Sequence, residues 1–163
     1  LDKISRDKLF QDLNFTIQTL LDYERLNDNS DSKLQTKIES ILKTRINECL
    51  SNPKFKELSN STIFRILEGS KEEIDHNLLI EFIIESASTR FVMFKFIEID
   101  KLRYDKFQLF IKFIENQEET NKKMYLDYIP FNFSFIQNIL NKYDEVLKEM
   151  NGIKEELKST KIK

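Results

Sequence analysis

The side chains that most often carry out chemistry are scarce in this sequence, which holds a single histidine, His76, and a single cysteine, Cys49, among 163 residues. A histidine can act as a general base or a metal ligand, and a cysteine as a nucleophile or thiolate ligand, but each needs partners. A zinc site takes at least three protein ligands, and His76 has no second histidine to join it. It follows Asp75, a residue suited to cap a helix N-terminus, so His76 is expected on the surface of a first helical turn. Cys49 stands between Ile46 and Leu50, where a small apolar side chain packs, and is expected to be structural, with no internal disulfide. The carboxylates come as neighbours: Glu72 with Glu73, Glu118 with Glu119, Asp144 with Glu145, Glu155 with Glu156. Adjacent positions on a helix do not face each other, so these pairs read as solvated faces rather than acid–base dyads. Gly69 and Gly152, the two glycines, cannot build a phosphate-cradling loop. Lys158, Lys161 and Lys163 lie beside Glu155 and Glu156 and read as a solvated end. No catalytic, cofactor or metal-binding constellation emerges, and an enzyme is not expected.

What the spacing does supply is the chemistry of association. From Ile136 to Leu157 apolar residues fall at Ile136, Ile139, Tyr143, Val146, Met150, Ile153 and Leu157, at intervals alternating between three and four. That is a heptad seam, with Ile136, Tyr143, Met150 and Leu157 at a and Ile139, Val146 and Ile153 at d. In this register Glu149 and Glu156 occupy g, and Lys154 and Lys161 occupy e. In a parallel homodimer each g glutamate then meets an e lysine of the partner. Self-association through this helix is expected, with a parallel dimer favoured. Leu140 and Leu147, both at e, widen the apolar face; the same pattern also suits a helix folded back into a bundle, a higher oligomer or antiparallel packing. Gly152 sits at c, where it weakens the helix without touching the seam.

The elements that must position this seam are helical throughout. Two glycines and two prolines are too few for the tight turns of a sandwich or barrel. Residues Arg6 to Leu26 carry Leu9, Phe10, Leu13, Ile17, Leu20, Leu21 and Leu26 at helical spacing, and Leu34, Ile38, Ile41, Leu42, Ile46 and Leu50 mark a second helix running to about Ser51. The polar run Asn27 to Ser32 between them is turn and cap chemistry, so the two are expected to form a hairpin. After Asn52 and Pro53 one pattern recurs four times: Leu58, Ile63, Ile66, Leu67; Ile74, Leu79, Phe82, Ile83; Leu102, Phe107, Phe110, Ile111; Phe131, Ile136, Ile139, Leu140. Ser59, Asp75 and Asn132 follow the first residue in three of these, and Arg103 in the other. Each set reads as a helix entry with a hydrophobic staple, capped in three cases. Ser88 to Ile97 is apolar on nearly every side, which places Phe91, Phe94 and Ile97 in the middle of the core. A short helix from Lys122 to Tyr128 connects to the last one.

With 40% hydrophobic and 33% charged residues the chain suits one globular body plus a protruding helix. A net charge of −2 lacks the basic stripe of a nucleic-acid-binding protein, so no nucleic acid is expected as partner. No window has the length and apolarity of a membrane span and no signal peptide opens the chain, so a cytoplasmic protein with no membrane partner is expected. The first residue, Leu1, is not methionine, which suggests a piece of a longer protein.

The segment Ile46 to Ile83, with INECLSNPKFKELSNSTIFRILEGS followed by EEIDHNLLIEFI, resembles the helical BACK-type region that follows BTB domains, and the likeness reaches Ile114. That family repeats a leucine, a short polar cap and a helix ending in an apolar pair. The resemblance implies stacked helical hairpins and an interaction module, either the linker region of a scaffold or a substrate adaptor of a cullin ubiquitin ligase. The expected architecture is therefore all-α: residues 1–130 a helical domain, with 1–51 a hairpin and 52–130 BACK-like hairpins, and residues 131–163 a coiled-coil helix. The expected function is a non-enzymatic protein–protein interaction and oligomerisation module.

Overall fold

A computed structural model describes residues 11–26, 32–130 and 133–162, and the side chains of these except 133–140 and 160–162. Every element among them is helical. The chain divides between Ile129 and Pro130 into two compact units, each described by itself.

In the first unit, helix α1, Leu13–Leu26, buries Thr16, Ile17, Leu20 and Leu21, one face at helical spacing. Its start is held by Asp12, whose carboxylate accepts from the Phe15 amide at 3.2 Å. Leu26, expected on the apolar face, is exposed. The expected entry at Arg6 and the polar run from Asn27 to Asp31 lie outside the described residues. Helix α2, Ser32–Thr44, buries Ile38, Glu39, Ile41 and Leu42.

A helix continuous to Ser51 was expected, and the structure corrects this: Arg45 leaves helical geometry (φ −122°, ψ 32°) and a separate short helix α3, Ile46–Leu50, follows. The Arg45 amide closes the last turn of α2 on the Leu42 carbonyl at 3.1 Å. The change of direction lets Ile46, Cys49 and Leu50 be buried in their turn. Asn47 locks the new course from both ends of its amide, donating to the Glu73 carbonyl (2.9 Å) and accepting from the Asp75 amide (2.7 Å).

Asn52 caps a 3-10 turn, Pro53–Glu57, by accepting from the Lys54 amide, and the turn buries Phe55. Helix α4, Asn60–Gly69, begins at Ser59, whose side chain accepts from the Thr62 amide; helix α5, His76–Ile84, begins at Asp75, which accepts from the Asn77 amide. Leu58, Ile63, Ile74 and Leu79, the residues expected to staple these entries, are all buried. Helix α7, Tyr104–Glu115, has no side-chain cap from Arg103. There the Arg103 amide is taken by the Asn77 side chain at 2.8 Å. The fourth entry, at Phe131 and Asn132, lies outside the described residues.

The apolar stretch from Ser88 is not one α-helix. Helix α6, Ala87–Arg90, passes into a 3-10 segment, Phe91–Phe96, and a second 3-10 turn, Ile99–Lys101, precedes α7. Three residues per turn distribute its rings among several neighbours. Phe94 lies within ring contact of Phe110 (6.0 Å), Phe113 (6.4 Å) and Tyr125 (5.7 Å), the last from helix α8, Glu119–Tyr128. Phe96 meets Phe64 of α4 at 4.9 Å. Phe94 and Ile97 are buried as expected, whereas Phe91 is only half-buried, against Tyr125 and Tyr128. Around this centre α1 packs on α2, α2 on α4, α3 on α5, α5 on α7, and α8 on the 3-10 segment.

The second unit holds one helix, α9, Phe133–Ile162, of 30 residues. At 1.5 Å rise per residue it is about 45 Å long. Upstream, Ile129 is extended (φ −80°, ψ 130°), as the residue before a proline must be.

Candidate functional site

The expected seam residues Tyr143, Val146, Met150, Ile153 and Leu157 all lie on α9. Successive members are three or four positions apart, so they share one side of the helix. Water reaches most of that side: Tyr143 is 61% exposed, Met150 49%, Ile153 57% and Leu157 57%, while Val146 is half-buried. Leu147 at position e is exposed with them. The flanking Glu149, Lys154 and Glu156 are exposed as well. Ile136, Ile139 and Lys161 belong to the same helix, but their side chains lie outside the described residues. Gly152 has nothing within 4 Å of where a Cβ would stand. A stripe of large apolar residues along several turns of one helix is more than scattered surface apolarity, since monomeric proteins rarely expose a contiguous patch of this kind. The arrangement can bury apolar area against a matching helix and align charges along its edges.

The first unit buries two ionisable side chains, His76 and Arg90. His76, expected on the surface, is buried, at 4% exposure. Its Nδ1 accepts from the Glu98 amide at 3.1 Å, and its Nε2 lies 3.7 Å from the Glu98 carboxylate. An accepting Nδ1 fixes the ring proton on Nε2. Burial holds the histidine below its ordinary value of 6.5, against the opposing pull of Glu98. Glu98 is itself held low, chiefly by a hydrogen bond from Lys101 at 2.5 Å.

Arg90, which sequence reasoning did not single out, is 6% exposed. Its guanidinium carbon sits 4.5 Å over the centre of the Phe82 ring, and its Nη2 donates to the Lys56 carbonyl at 2.7 Å. Burial draws its affinity for the proton down, opposed by Glu85. Both side chains are fixed by backbone groups 22 and 34 positions away, so no local signal marks them.

Cys49 is buried, with its Sγ 3.8 Å from the Leu42 carbonyl oxygen. Burial pushes the thiol up to about 12, so it is not a nucleophile at neutral pH. Among the described residues no three of His, Cys, Asp and Glu converge as metal ligands, and no helix is long and apolar enough to cross a membrane. Compared with family models, curated proteins and solved structures, the chain matches none.

Proposed function

We propose that the chain is a non-enzymatic interaction module that associates with a second copy of itself through α9, as a parallel coiled coil. The observation that carries this is the exposure of Tyr143, Met150, Ile153 and Leu157 on one side of a 30-residue helix. A lone helix in water gains little beyond its own hydrogen bonds, and most helical stability comes from packing an apolar face. Pairing two seams places Glu149 of one copy opposite Lys154 of the other, and Glu156 opposite Lys161, which favours the parallel orientation.

The test is the mass in solution by light scattering over a range of concentrations. The chain should be a dimer, and the pair of substitutions Met150→Glu and Ile153→Glu should make it monomeric without altering the melting of the first unit. Glu149→Lys alone should weaken the dimer, and Glu149→Lys with Lys154→Glu should restore it. A monomer at every concentration overturns the reading; a dimer indifferent to the seam substitutions assigns association elsewhere.

A second reading, a BACK-type adaptor region serving a cullin ubiquitin ligase, is favoured by the capped and stapled helices α4 and α5. A BTB fold encoded immediately upstream of Leu1 supports it, and an unrelated fold there overturns it.

A further inference from the structure

We propose that Met150 is a redox modification site: a peroxide converts its thioether to the sulfoxide, and the sulfoxide keeps the α9 helices of two copies apart. This rests on the pairing of α9 proposed above and adds what controls it. The sulfur atoms of the chain belong to Met93, Met124, Met150 and Cys49. Met93 is 2% exposed, and Cys49 is buried with its thiol pushed up to about 12, so little reactive thiolate forms at neutral pH. Met124 is half-buried on α8. Met150 is 49% exposed. An oxidant arriving from water meets this sulfur before the others.

The step needs only hydrogen peroxide as co-reactant. A lone pair of the thioether sulfur attacks one peroxide oxygen, the O–O bond breaks, and the departing hydroxide takes the proton of the transferred oxygen to become water. Sulfur gives up two electrons and the peroxide gains them. The product is polar and chiral where the thioether was flexible and apolar. Met150 stands at position a, flanked along the seam by Val146 and Ile153, neither of which can donate a hydrogen bond to the new oxygen. Burying an oxygen without a donor opposes pairing. Because pairing covers Met150, the peroxide acts on separated chains, and each oxidised chain is then held from pairing again.

The test treats the intact chain with hydrogen peroxide over a range of chain concentrations, follows each methionine by mass spectrometry of its peptides, and reads the solution mass by light scattering. Met150 should oxidise at least about tenfold faster than Met93, and its rate should fall as the chain is concentrated into the dimer. Full conversion of Met150 should weaken association about a hundredfold, a factor of about ten for each buried sulfoxide of the pair. A methionine sulfoxide reductase supplied with a dithiol should restore the dimer, the dithiol closing to a disulfide as the oxygen leaves in water. Met124→Leu should respond as the native chain does. Met150→Leu is judged by the ratio of its affinities with and without peroxide, which should be one. The mass before treatment keeps the two readings apart. A chain monomeric at every concentration overturns the pairing and this control together. A dimer that keeps its mass with Met150 oxidised, that dissociates equally in Met150→Leu, or in which Met93 oxidises as fast as Met150 overturns the control and leaves the pairing standing.

Discussion

The carboxylate of Glu24 accepts two hydrogen bonds from Ser59, one from its amide at 3.1 Å and one from its hydroxyl at 2.8 Å. The hydroxyl of Thr62 joins the same carboxylate at 2.5 Å. The end of α1 thus places a negative charge on the N-terminus of α4, where the helix dipole and its unpaired amides favour it. Hydrogen bonds to a charged group contribute more than neutral ones. Glu24→Ala should lower the unfolding free energy by about 2 kcal/mol and Ser59→Ala by about 1 kcal/mol. Because the two residues touch, the double variant should lose less than the sum, which urea denaturation of all four proteins measures.

His76 predicts a pH dependence. Its native value lies below the 6.5 of the unfolded chain, so the unfolded state takes up a proton that the folded state refuses. Stability from this group is complete above the unfolded value and falls as pH drops through and below it. Protonating Nδ1 would also displace the Glu98 amide that now donates to it. The unfolding free energy should decline between about pH 7.5 and about pH 5.5, and less so in His76→Gln. An equal decline in both proteins would place the dependence elsewhere.

Cys49 should resist thiol reagents in the native chain. Burial both raises the thiol to about 12 and denies access to it. Reaction with Ellman's reagent should be at least about a hundredfold slower in buffer than in denaturing guanidinium, since the reactive species is an exposed thiolate. Fast labelling under native conditions would show that α3 opens readily.

Gly152→Ala should stabilise α9. A glycine in a helix interior costs about 1 kcal/mol relative to alanine, and the added Cβ meets nothing within 4 Å. The midpoint of the helix signal in far-ultraviolet circular dichroism should rise. No gain would mean that this part of α9 is not helical in solution.

The sequence made some helix starts legible and left others hidden, for a physical reason. Ser59 and Asp75 cap their helices through amides two or three positions away, so a short window contains the whole interaction. The break at Arg45 involves neither glycine nor proline, and Asn47, which fixes the new course, binds groups beyond position 70. The 3-10 winding of Phe91–Phe96 answers to rings from α4, α7 and α8. His76 carries polarity that argued for the surface, and Arg90 was not singled out; the backbone groups that hold each of them lie far away in sequence. On α9 the seam was readable as a pattern, and the structure adds that its described residues from Tyr143 onward are mostly reached by water.

The ring contacts of Tyr125 have an optical consequence. The chain contains five tyrosines and no tryptophan, so its ultraviolet emission is tyrosine emission undisturbed by energy transfer to an indole. Tyr125 is enclosed by Phe91, Phe94 and Phe113, whereas Tyr143 stands open on α9. A collisional quencher such as iodide reaches the second and not the first. Tyr104 and Tyr128 are exposed as well. With both replaced by phenylalanine, the emission that iodide still quenches would report chiefly on Tyr143 and on whatever comes to lie along the last helix, while Tyr125 reports on melting of the aromatic centre.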